Sequence, residues 1–168
     1  RKLKTIYNEK PSVTEIENPV IPESIKGQIE FDHVGFHKSD RHEILHDISF
    51  TVEPGKTIGI MGTTGAGKTS IVYLLQRLYD ATEGSIKIDG IDIKQMSLKQ
   101  LRSSISEVMQ DVFLFSDPIS ENVKLGKREI IGPETVEYAS RQAQASEFIE
   151  QMDEKYETVI GERGVGLS

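Results

Sequence analysis

Gly62-Thr63-Thr64-Gly65-Ala66-Gly67-Lys68-Thr69, followed by Ser70, is the stretch that decides how this chain is read. It satisfies G-x-x-x-x-G-K-[ST], a pattern in which glycines let backbone N–H groups converge on phosphate oxygens. Each residue type has its own task. The amides of Gly62, Thr63, Thr64, Gly65, Ala66 and Gly67 make an anion cradle, and Ser70 completes the binding set. Lys68 reaches the β- and γ-phosphates, the Thr69 hydroxyl is a ligand for Mg2+, and the helix starting near Lys68 adds its N-terminal partial positive charge. The expected ligand is a nucleoside triphosphate, ATP with Mg2+.

The bare pattern also arises by chance, so its surroundings matter. Before it, residues 57–61 form a nearly continuous apolar run, which predicts a strand buried on both faces in a parallel sheet. After it, Ile71, Leu74, Leu75 and Leu78 fall at the i, i+3, i+4, i+7 spacing of a helix that packs on a sheet. Strand, loop and helix in that order are the setting a phosphate loop requires.

Further out, Ile29 and Phe31, Val34 and Phe36, and then Ile48, Phe50 and Val52 predict strands with one buried face, the last ending at the Pro54-Gly55 turn. Ile86 and Ile88, the turn Asp89-Gly90, and Ile91 and Ile93 predict a short hairpin. Residues 105–109 are a further candidate strand, and residues 133–152 read as helix with a break near Ser146. Residues 1–27 carry Pro11, Pro19 and Pro22 without a sustained period and read as a linker, most helix-like over 1–9.

Composition limits the alternatives. The 168 residues, 36% apolar, suffice for one domain with a core. A net charge of −7 and a pI near 5.2 argue against nucleic acid as a partner, which would demand many Lys and Arg contacts to phosphate. The absence of cysteine excludes disulfides, thiolate metal sites and thiol catalysis. No apolar run approaches the roughly 18 to 20 residues that cross a bilayer, so the chain reads as a soluble piece. His33, His37, His42 and His46 lie close in sequence, but they cross a predicted strand and turn without a helical H-x-x-x-H frame, which favours surface roles over a metal site.

From Gly27 onward the chain resembles the nucleotide-binding domain of ABC transporters, of the exporter type fused to a membrane half. The resemblance rests on several segments besides the phosphate loop. Ile44-Leu45-His46-Asp47-Ile48-Ser49-Phe50 with Pro54-Gly55-Lys56 looks like the family's lead-in, and Gly84-Ser85-Ile86-Lys87-Ile88-Asp89-Gly90 like its hairpin. Val108-Met109-Gln110-Asp111, Phe113-Leu114-Phe115 and Ile119-Ser120-Glu121-Asn122 are similar to the Q-loop region. The resemblance makes Gln110 a catalytic residue alongside Lys68 and a Mg2+ contact alongside Thr69. Gly161-Glu162-Arg163-Gly164 resembles the X-loop, Leu167-Ser168 the start of the signature LSGGQ, and residues 4–11 the tail of a last transmembrane helix.

What the resemblance implies is an α/β fold: a P-loop NTPase (RecA-like) core with an antiparallel β subdomain, truncated within the helical subdomain. Residues 1–27 would be the linker from a transmembrane domain and residues 28–168 the N-terminal part of an ABC-type ATP-binding domain. The implied partners are a second nucleotide-binding domain, in a homodimer or heterodimer, and the coupling helices of the membrane domain, at the cytoplasmic face of the cell membrane. The implied function is ATP binding and, in the complete protein, hydrolysis that drives export.

The sequence departs from the family pattern in two ways. Lys38, with His37 beside it, stands where the family has an aromatic residue that stacks on adenine, a contact worth about 1–3 kcal/mol. No apolar run ends in the acidic residue that would serve as Walker B, and no catalytic glutamate or switch histidine follows, so the chain by itself is expected to bind ATP better than it hydrolyses it. Two other readings stand beside the exporter: another P-loop phosphotransferase such as a small kinase or GTPase, though no N-K-x-D segment is present, and a non-catalytic nucleotide-binding module.

Overall fold

The alternating residues after position 28 build a four-stranded antiparallel sheet of order β2-β1-β3-β4, with β1 Ile29–His37, β2 Glu43–Val52, β3 Glu83–Ile88 and β4 Ile91–Asp92. The structure is a computed structural model and describes residues 11–37, 43–110, 113–127 and 129–161. The helix-like stretch 1–9, Lys38, His42, Asp111, Glu162, Arg163, Gly164, Leu167 and Ser168 lie outside the described residues. The chain divides into two compact units, Arg1–Glu107 and Val108–Ser168.

In the first unit β1 is central. Phe31 pairs with Phe50 on one side and Ile86 on the other, and the rings of Phe31 and Phe50 stack with centroids 4.6 Å apart. Strict alternation fails around His33, whose φ is 49° and where the register with β2 shifts. The bulge leaves Val34, Gly35 and Phe36 consecutively buried, the usual effect of an extra residue on one strand. His33 itself is exposed. Its N–H donates to Ser49 Oγ at 2.9 Å and its Nδ1 lies 2.5 Å from Asp47 Oδ1.

The hydrogen bond to Asp47, then the attraction of Asp47 and of Asp32, raises the His33 pKa above its ordinary 6.5. The folded state thus holds this proton more tightly than the unfolded chain does. The contribution of the pair is fully present below pH 6.5 and is lost as pH rises through the folded value. In an NMR titration of the imidazole, Asp47→Asn is expected to lower the His33 midpoint toward its ordinary value, with Asp32 still in place; an unchanged midpoint would contradict the pairing.

The predicted hairpin is present: Asp89 and Gly90 both have positive φ, 50° and 79°, as a primed two-residue turn requires. Asp89 also anchors the entry to β1, accepting N–H bonds from Lys26 (2.7 Å), Gly27 (3.1 Å) and Gln28 (2.9 Å). Burial pushes its carboxyl up, and the backbone bonds from Gln28, Lys26 and Gly27 outweigh that, leaving it below its ordinary value.

Helix α1, Lys68–Leu75, lays Ile71 and Leu74 against Phe31, Val34, Phe36, Leu45, Ile86 and Ile88, and α2, Leu98–Ser103, adds Leu101 to the same core. The predicted fourth position of the α1 stripe, Leu78, is not part of it. Arg77 takes a left-handed φ of 50° just after the C-cap Gln76, which turns the chain away and leaves Leu78 43% exposed.

Two strand expectations are corrected. Residues 57–61 are not a strand: Ile58, Ile60 and Met61 are 45%, 41% and 94% exposed. Residues 105–109 are irregular as well, with Val108 97% exposed and only Ile105 packed on the core. An apolar run becomes a doubly buried strand only when neighbours bond to both its edges, and among the described residues neither segment has a ladder partner.

The second unit is helical: α3 Ile119–Val123, α4 Pro133–Gln142, α5 Ser146–Glu150 and a 3-10 turn at Lys155–Glu157. The expected break near Ser146 is there, where Gln144 at φ 58° ends α4 and the Ala145 N–H bonds to Ser140 O. Ile119, Ile149 and Ile160 form the core of this unit.

Candidate phosphate-binding site

The loop enters α1 through two residues in the left-handed region, Gly65 at φ 85° and Gly67 at φ 83°. Gly67 is the N-cap of α1. A Cβ built on it would lie 2.8 Å from Leu45 Cδ2 and 2.9 Å from the Ile44 carbonyl oxygen, so the loop is seated against the start of β2 where only glycine fits. The Ala66 N–H returns to Thr63 O at 3.2 Å, and the N–H groups of Ser70 and Ile71 both bond to Gly67 O.

Lys68 and Thr69 occupy the first two positions of the helix, where N–H groups have no acceptor within the helix. Its first turn carries no acidic side chain to compete for them. Lys68 Nζ donates to Gly62 O and Thr63 O, both at 2.8 Å, which arches the ammonium across the loop. Two left-handed glycines, the free N–H groups of the first helical turn and a fixed ammonium beside them are the donor set that suits a phosphate chain. The donor set therefore fits the triphosphate expected from the sequence, and the exposed Thr69 leaves its hydroxyl accessible to a bound cation.

Gly62, Thr63, Thr64, Gly65, Ala66, Gly67, Lys68, Thr69 and Ser70 thus come together in one loop and helix start. Gln110 belongs to the second unit, exposed on the irregular segment before α3. The segment after it is held by Asn122: its Oδ1 accepts the Phe115 N–H at 2.9 Å, and its Nδ2 donates to the carbonyls of Phe115, Asp117 and Pro118. Phe113 and Phe115, edge to face at 5.0 Å, are left exposed.

Sequence reasoning missed the seat of the loop. Ile44 and Leu45 were read only as the opening of the segment that leads into the loop, and no local pattern says that residues more than twenty positions away will crowd Gly67. Among the described residues no group of three or more His, Asp or Glu is placed to hold a metal ion, and no helix is long and apolar enough to cross a membrane.

A family model described as ABC transporter matches residues 45–168. The chain is 45% identical over 161 residues to the uncharacterized ABC transporter ATP-binding protein YknV of Bacillus subtilis, covering 96% of this chain and 26% of that protein. It is 44% identical over 170 residues to the beta-(1-->2)glucan export ATP-binding/permease protein NdvA of Rhizobium johnstonii, covering 99% and 29%. The solved structure of a bacterial Atm1-family ABC exporter with ATP bound superposes with a TM-score of 0.89 at 36% identity, over 99% of this chain and 29% of that one. The chain thus spans between a quarter and a third of the length of these relatives.

Proposed function

This chain belongs to the ABC transporter family, and from that premise we propose that its loop at Gly62 to Thr69 binds MgATP and that, in the complete protein, the bound ATP is hydrolysed to drive export across a membrane. The observation that carries the reading is the glycine-dependent loop itself: Gly67 is seated on Ile44 and Leu45 where a Cβ has no room, and Lys68 Nζ is bonded across the loop to Gly62 O and Thr63 O. Lys68 holds the β- and γ-phosphates, and the Thr69 hydroxyl and the Gln110 side chain are the groups that would hold Mg2+. Mg2+, when bound, supplies charge neutralisation on the phosphates. Gln110 also orients the water that attacks, a positioning task a neutral amide performs without giving up a proton.

Residues 1–27 serve as the linker from a membrane domain and residues 28–168 as part of the ATP-binding domain, working at the cytoplasmic face of the membrane. A second such domain, identical or not, and the coupling helices of the membrane domain are its partners. The name of one relative, an export ATP-binding/permease protein, supports the direction of transport.

ATP hydrolysis by the complete protein tests this. Gln110→Ala is expected to lower kcat about 100-fold while MgATP affinity stays within about threefold, since an orienting group acts chiefly in the transition state. An unchanged kcat would remove Gln110 from the mechanism. A folded, ATP-binding complete protein that never hydrolyses would replace the motor reading with a regulatory one.

A further inference from the structure

A closed circuit of hydrogen bonds joins residues 14–28 to the end of α1. Arg77, only 2% exposed, sends its guanidinium to Asp80 (2.9 and 3.3 Å), to the carbonyls of Ile93 and Lys94 (both 3.3 Å), and to the Thr14 carbonyl at 3.2 Å. The next residue, Glu15, accepts the Leu98 N–H at 2.9 Å, at the start of α2. From α2, Arg102 donates to the carbonyls of Gln76 (3.2 Å) and Arg77 (2.8 Å), which close α1. Beyond Glu15 the segment stays attached: Val20 N–H bonds to Gln95 O at 2.7 Å, Ser97 N–H to Val20 O at 3.0 Å, and Asp89 holds residues 26–28.

We propose that residues 14–28 are a strap coupled to the phosphate loop through α1, so that docking of the strap and binding of nucleotide strengthen one another. The inference rests on the reading of the loop as a nucleotide site. Lys68 opens α1 and Arg77 follows two residues after its last position, bonded through its N–H to Leu74 O, so the eight-residue helix spans the chain between the two contacts. A hydrogen-bonded helix of about 12 Å moves as a body. Releasing Thr14 and Glu15 removes one acceptor of a buried guanidinium and unties α2 from the strap, which loosens the C-terminal end of the helix whose N-terminus is the site. Coupling between two sites is reciprocal, so strap docking strengthens nucleotide binding by the factor with which nucleotide strengthens strap docking.

The test uses the complete protein, MgATP, and amide exchange at Ser97 and Leu98, whose N–H groups are bonded to the strap. MgATP is expected to slow their exchange about fivefold in the wild type. Glu15→Ala, which loses the acceptor for Leu98, and Val20→Pro, which loses the donor to Gln95, are each expected to speed exchange and to weaken MgATP about fivefold, while Glu15→Gln, keeping an acceptor oxygen, restores both. Faster exchange with unchanged MgATP affinity overturns the coupling, and so does exchange that neither variant alters. If the folded wild type binds no MgATP, the nucleotide reading itself falls and takes the strap coupling with it.

Discussion

Lys68→Ala is expected to weaken MgATP binding about 100-fold, a loss of about 3 kcal/mol, because it withdraws the ammonium held across the loop against Gly62 O and Thr63 O. Its effect on folding is expected to be small. The two carbonyls that Lys68 bonds, Gly62 and Thr63, are exposed and are taken over by water, so stability should stay within about 1 kcal/mol of the wild type. Lys68→Arg should not restore affinity, because a planar fork does not replace a compact ammonium in a loop of this radius. Calorimetric titration and a denaturation curve on the same samples separate the two effects. A folded Lys68→Ala protein that binds MgATP like the wild type would remove Lys68 from the site.

Gly67→Ala should fail differently, by damaging the fold together with the site. An alanine at φ 83° costs about 1–2 kcal/mol in left-handed strain. Its Cβ would sit 2.9 Å from the Ile44 backbone oxygen and 2.8 Å from Leu45 Cδ2, and forcing such overlap adds about 1–3 kcal/mol. The expected loss is about 2–5 kcal/mol, with MgATP binding abolished because the loop must leave its seat. Gly65→Ala is the internal comparison. It shares the left-handed φ, 85°, but its Cβ meets nothing within 4 Å, so it should lose only the strain, about 1–2 kcal/mol. Equal losses at the two positions would show that the contact with β2 does not hold the loop.

The loop and the helix start after it were legible because the pattern is contiguous, though the strand expected before it is not formed, and the Asp89-Gly90 turn and the break between α4 and α5 were legible as well, each set by residues within a few positions of one another. Residues 57–61 and 105–109 were misread for one physical reason. An apolar run reports a capacity for burial, and whether it becomes a strand depends on hydrogen-bonding neighbours that the run does not encode. The stripe ending at Leu78 failed because periodicity does not foresee a left-handed residue at Arg77. The bulge at His33, the crowding of Gly67 by Ile44, and the circuit through Arg77 and Arg102 are contacts across more than ten positions, invisible to any local pattern. Arg77, charged and yet buried, owes its place to that circuit.

Whether the loop grips phosphates is decided by a calorimetric titration of the folded protein with MgATP, followed by competition with inorganic tripolyphosphate, adenosine and MgGTP. The expected result is a single saturable site from which tripolyphosphate displaces MgATP, adenosine does so poorly, and MgGTP competes less well than MgATP. No binding, or displacement by adenosine and not by tripolyphosphate, would contradict it.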